Sequence, residues 1–186
     1  TDGAGAGAEV VFGVILGTGV GGGVVVRGQV LMGPNAVAGE WGHLPLPWPR
    51  DDERPGPACY CGLHGCIESF LSGPALARDY AALGGRLGVA ANEVAQRAVE
   101  GEAAALAALA RHSAGLARAL AGIINVLDPH VIVLGGGLSN LSHLYREVPA
   151  QWTQWVFSDR VDTRLLPNVH GDSSGVRGAA WLWPAE

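Results

Sequence analysis

The chain has no lysine: all 12 of its basic residues are arginine. A phosphate loop that relies on a lysine is therefore excluded. Basic residues are also outnumbered, 12 against 17 acidic, and the net charge of −5 leaves no electrostatic footprint for nucleic acid. No cationic segment followed by an apolar one marks a secretory leader. The longest uncharged run near the start, VVFGVILGTGVGGGVVV, carries too many glycines for a membrane span. These absences set the expectation of a cytoplasmic protein with no nucleic-acid and no membrane partner. Cysteine is scarce as well. The three present, Cys59, Cys61 and Cys66, are odd in number and crowded together, which suits a metal better than structural disulfides.

Apolar residues, in contrast, make up 48% of the 186 positions, enough for one good core or one lobe of a larger fold. EVVFGVIL, residues 9–16, reads as a buried strand, and VVVRGQVL, residues 24–31, as a second one after a glycine-rich connection. Residues 32–66 are rich in Pro and Gly and show little period. A loop of that length in a compact domain needs an anchor. Ser72-Gly73-Pro74 opens a helix, Asn92 is expected to cap another, and an Ala- and Leu-rich helix from Ala103 stops at Asp128-Pro129. HVIVL then forms a strand entering Gly135-Gly136-Gly137, a helix is expected over 141–156, and TRLLPNV is a candidate strand. GDSSGVRGAAWLWPAE reads as a turn and a short docking helix. There is no internal repeat, and the order is that of an α/β lobe.

Three groups of residues carry chemistry. Gly17-Thr18-Gly19 follows a buried strand, where glycines let backbone N–H groups approach an anion and Thr18 adds a hydroxyl. Gly17, Gly19 and Gly22 also fit GxGxxG, but the motif should open a helix and here it leads into Val24-Val25-Val26. The plain alternative is a glycine hairpin that binds nothing. His43, Cys59, Cys61 and Cys66 form the second group, a donor set that suits tetrahedral zinc, with His64 the rival fourth ligand. Glu40 and Glu68 form the third. A metal would bring these carboxylates together, and carboxylates are good acceptors for paired sugar hydroxyls; otherwise both are solvated surface residues. His43 could serve the metal with one ring nitrogen and a ligand hydroxyl with the other. Gly135-Gly136-Gly137, at a strand-to-helix junction, is a usual nucleotide location or simply a tight turn.

Taken together, LGTGVGGG, AGEWGH, CYCGLHGCIE and VIVLGGG resemble the ROK family of sugar kinases and related repressors, over nearly the whole chain. GEWGHLPLPW and the C-terminal GDSSGVRGAAWLWP look most like bacterial fructokinases of the mannofructokinase type. The resemblance implies an actin-like ATPase (ribonuclease H-like) fold of two α/β lobes, usually assembled as a dimer or higher, and ATP-dependent phosphorylation of a hexose, with fructose or mannose foremost. Glucose, an N-acetylated hexosamine, or a repressor role are the alternatives. It implies that Glu40, His43 and Glu68 hold sugar hydroxyls and that His43, Cys59, Cys61 and Cys66 bind Zn2+. Gly17, Thr18 and Gly19 would contact the phosphates of ATP, which acts with Mg2+, and Gly136 and Gly137 would lie near its adenosine. The family's DxGGT loop and its Asn-Asp pair, whose Asp is the catalytic base, have no match in residues 1–186. The expectation is therefore a C-terminal lobe with a zinc loop at 43–66, without the N-terminal lobe and inactive alone.

Overall fold

A computed structural model of the chain describes residues 2–171. The expected turn and helix beyond Gly171 lie outside them. Five strands form one mixed sheet in the order β3-β2-β1-β4-β5. The central strand β1, Val10–Leu16, alternates as a half-covered strand must: Phe12, Val14 and Leu16 are buried, while Ile15 faces away and is exposed.

The second strand departs from expectation. β2 runs Val20–Val26, antiparallel to β1 from Leu16↔Val20 to Val10↔Val26, so the glycines at 21–23 belong to the strand. Gly22 is required there, since a Cβ would sit 2.9 Å from the Gly13 carbonyl and 3.0 Å from both Phe12 and Trp41. The strand then breaks at Arg27-Gly28, both at positive φ (50° and 78°), which is the two-residue hairpin geometry. The short β3, Gln29–Val30, follows as the edge. β4, Val131–Gly135, and β5, Arg164–Pro167, add in parallel on the other side of β1.

Five helices accompany the sheet among the described residues: α1 Glu68–Leu71, α2 Gly73–Ala82, α3 Ala91–Val99, α4 Ala103–Leu127 and α5 Leu144–Trp152. Ser72 caps α2, its hydroxyl accepting from the Ala75 N–H at 3.3 Å, with Pro74 in the first turn. Asn92 does not cap α3; the cap position is Ala90, and Asn92 sits in the first turn facing a cleft. α4 ends where Asp128 turns left-handed (φ 44°) before Pro129. α5 is shorter than expected because residues 137–140 form a 3-10 turn and Leu141 is extended. Leu116, Leu120 and Ile124 of α4 share one core with Phe12, Val14 and Leu16. This arrangement is an α/β lobe, as expected from the sequence.

The long loop is held by more than its cysteines. Arg118 of α4 and Glu53, both buried, form two hydrogen bonds of 2.7 and 2.8 Å, and Arg118 also donates to the Trp48 carbonyl at 2.7 Å. Burial alone would raise the Glu53 carboxyl, yet hydrogen bonds from Arg118 and from the Arg50 N–H outweigh it and hold it below its ordinary value. Backbone bonds from Leu46 N–H to the Gly65 carbonyl and from Ile67 N–H to the Leu44 carbonyl stitch the two ends of the loop together.

Candidate active site

Two glycines seat the Ala38–His43 segment on β2. Gly39 has φ +96°, and a Cβ there would lie 2.6 Å from the Gly22 carbonyl. A Cβ on Gly42 would lie 2.0 Å from the carbonyl of Val20. Between them Trp41 is buried, stands edge-on to Phe12 and donates from Nε1 to the Gly21 carbonyl at 2.8 Å. This fixes a 3-10 turn, Trp41–His43, that leaves Glu40 exposed at its start and aims His43 at the cysteines.

His43, Cys59, Cys61 and Cys66 come together with their ligand atoms all within 4.8 Å of one another. Cys59 Sγ is 3.5 Å from His43 Nδ1, and Cys61 Sγ is 3.6 Å from Cys66 Sγ. Tetrahedral zinc with sulfur ligands at about 2.3 Å requires sulfurs about 3.8 Å apart, so the cage has the right size. Burial, then the neighbouring Cys61 and Cys59, pushes the Cys66 thiol up to about 12, whereas the Leu63 backbone amide pulls Cys61 down. A cation would relieve the strain of deprotonating the buried thiol. His64 is not in the cage; it pairs through its backbone with Ala58 on the outer turn of the knuckle.

Of the two carboxylates, Glu68 is placed directly next to this cage in the chain. Glu68 opens α1 immediately after the knuckle, and its Oε2 accepts from the Val20 N–H at 2.8 Å. A Cβ on Gly19 would strike that same oxygen at 2.6 Å. Glu68 thus ties the knuckle to the Gly17-Thr18-Gly19 turn. Partial desolvation raises the Tyr60 hydroxyl, and the negative charges of Glu68, Cys59 and Glu40 raise it further. Tyr60, at the middle of the Cys59-Tyr60-Cys61 run, is a residue that sequence reasoning passed over: its hydroxyl is 2.8 Å from His43 Nε2.

On the far side of the glycine turn lies a cleft of about 690 Å³ that includes Gly17, Thr18, Gly73, Asn92, Gly137 and Leu141. Gly73 N–H donates to the Gly17 carbonyl at 2.7 Å, so α2 begins against the turn, and α3 also begins at the cleft. Helix N-termini and a hydroxyl suit an anion, and the Ala and Leu wall suits a flat apolar ring. Gly19 and Gly136 do not line it. Gly19 faces Glu68, and Gly136, at φ +78°, lets the chain pass the end of β1, where a Cβ would lie 2.4 Å from the Leu16 carbonyl. Gly73 and Asn92 could not be found by motif, because only the folded chain brings two helix starts to one turn.

A model of the ROK family matches residues 1–186. The chain is 39% identical over 176 residues to an N-acetyl-D-glucosamine kinase of Yersinia enterocolitica, covering 92% of this chain and 58% of that protein. It superposes on a ROK hexokinase from Thermus thermophilus with a TM-score of 0.83 and 31% identity, over 97% of this chain and 59% of the other. It matches a ROK glucokinase from Streptomyces griseus, solved with glucose and AMPPNP, with a TM-score of 0.83 and 27% identity, over 96% and 62%. The chain thus spans about three fifths of the length of the proteins it matches. No helix among the described residues is long and apolar enough to cross a membrane.

Proposed function

The chain belongs to the ROK family, and from that premise we propose that its intact protein transfers the γ-phosphate of ATP to a hexose hydroxyl. N-acetyl-D-glucosamine is the first candidate substrate, giving the 6-phosphate, because relatives at 39–42% identity are kinases of that sugar. The fructose expectation rests on GEWGHLPLPW and on a C-terminal segment outside the described residues, and the relatives give it no support.

One observation carries the proposal. Glu68 joins the metal cage to the Gly17-Thr18-Gly19 turn through the Val20 N–H, so one carboxylate spans two binding regions. In our reading Glu40, His43 and Glu68 accept or donate to the sugar hydroxyls, charged acceptors making the stronger bonds. Gly17 and Thr18 hold the phosphates of ATP with its Mg2+, Gly19 supports their turn from the Glu68 side, and the cleft walls, with Gly137 at the rim and Gly136 shaping the turn, hold the adenosine. Placing both substrates in line is the larger part of phosphoryl transfer catalysis. His43, Cys59, Cys61 and Cys66 would hold Zn2+, which supplies no redox chemistry and fixes the loop that presents Glu40 and Glu68. We place the protein in the cytoplasm as a homodimer, to be checked by light scattering.

A coupled assay of the intact protein with ATP and Mg2+ tests this across N-acetyl-D-glucosamine, glucose, mannose and fructose. The highest kcat/KM is expected for N-acetyl-D-glucosamine. A higher value for fructose would overturn the substrate choice, and no turnover of any hexose would overturn the proposed activity.

A further inference from the structure

Tyr60 is 83% exposed, a position where a side chain ordinarily samples several rotamers. Here two contacts fix it, and both are to the same ring. Its hydroxyl is 2.8 Å from His43 Nε2, and the phenol stands edge-on to the imidazole, centroids 5.0 Å apart at 87°. The opposite nitrogen of His43, Nδ1, faces the Cys59 sulfur at 3.5 Å. The imidazole is thus held from both sides, by the thiol cage at Nδ1 and by a phenol at Nε2.

The tautomer follows from the donor set. A neutral histidine that turns the Nδ1 lone pair to a metal carries its proton on Nε2. That N–H is the only hydrogen bond the ring can then offer, and the oxygen of Tyr60 lies 2.8 Å from that nitrogen, placed to accept it. A sugar hydroxyl held by His43 must take the same N–H. Tyr60 oxygen and sugar oxygen therefore compete for one donor, beside Glu40 and Glu68.

We propose that Tyr60 is a positioning residue: it holds His43 in the sugar-free protein and yields the Nε2 proton to a hydroxyl of the incoming sugar. This rests on the sugar-binding role of His43 given above. The exchange is one oxygen acceptor for another, and an exposed phenol can swing into solvent without opening the core. In the empty site the phenol keeps the ring oriented towards the cage, as outer partners of metal-bound histidines do. The occupied site no longer needs it, because the sugar takes its place.

Zinc release from the intact protein to a colorimetric chelator, with and without saturating N-acetyl-D-glucosamine, tests both halves. Tyr60→Phe keeps the ring contact and loses the hydroxyl. Without sugar the variant should release zinc about tenfold faster than the parent, the low end for loss of an outer-shell partner. With sugar the two rates should become equal and slow. Equal rates without sugar would overturn the proposal, even if sugar slows both proteins and so upholds the sugar site. A variant that stays faster by the same factor when sugar slows the parent would show that the phenol is never displaced, which overturns it too. Should sugar change neither rate, the sugar reading itself fails and takes the proposal with it. A protein that purifies without zinc sinks it outright.

Discussion

Removing Arg118 tests whether the long loop is anchored by a buried ion pair as well as by its cysteines. Arg118→Met keeps much of the side-chain volume and deletes four hydrogen bonds, two to Glu53, one to the Trp48 carbonyl and a longer one to the Ala114 carbonyl within α4. Breaking a buried pair from one side costs about 3–5 kcal/mol, because the remaining charge is left without its counter-ion. Glu53 keeps some support: the Arg50 N–H at 2.8 Å and the half-exposed Arg50 guanidinium at 3.2 Å. The expected loss is therefore near the low end, about 3 kcal/mol, or roughly 6–12 °C in Tm for a chain of this size. Replacing both partners, Arg118→Met with Glu53→Leu, should recover most of it, since an apolar pair strands no charge. Thermal and urea unfolding report the difference. The pH dependence has a definite sign. The folded state holds the Glu53 carboxyl below its ordinary 4.5, so the pair's contribution is full above that value and fades as pH falls through the lowered one. His112, buried and lowered to about 4, loses stability in acid by its own route, but equally in parent and variant. A single variant within about 0.5 kcal/mol of the parent at pH 7 would refute the anchoring role.

Gly42→Ala should be poorly tolerated, because its Cβ would meet the Val20 carbonyl at 2.0 Å, and backbone rather than a flexible side chain would have to move. A loss of about 2–3 kcal/mol is expected, with lower metal content because His43 is the next residue; unfolding curves and metal analysis check both. Elemental analysis should find one zinc per chain, abolished by Cys66→Ser and reduced by His43→Ala. His64→Ala should leave it intact, and loss of metal in that variant would reverse the ligand assignment.

The metal cage was legible because the cysteine spacing is local: C-x-C-x4-C confines three sulfurs to one short knuckle whatever the rest of the chain does. His43 as the fourth donor was a weaker inference, and its position beside the three sulfurs depends on Gly39 and Gly42 pressing the turn onto β2. The misplaced start of β2 has the opposite cause. Glycines at 21–23 weaken strand propensity, but here the missing side chain of Gly22 admits Phe12, Trp41 and the Gly13 carbonyl, so packing overrode local preference. The cap of α3 was misread for a related reason: Asn92 offers the right side chain, yet the helix starts one residue before it, and the side chain borders the cleft. Glu53 and Arg118, separated by 65 positions, left no signal in one sequence. Neither did the approach of Gly73 to Gly17.

In the proposed function Glu68 would join the cage, the sugar and the phosphate turn, so it gives the most direct measurement. Glu68→Gln keeps an oxygen for the Val20 N–H and removes the charge that a sugar hydroxyl would use. In the intact protein kcat/KM for N-acetyl-D-glucosamine should fall about 10–100-fold, the range for weakening a charge-assisted bond, with zinc content and Tm unchanged. Kinetics at the parent level for every hexose would show that Glu68 only braces the glycine turn and that the sugar lies elsewhere.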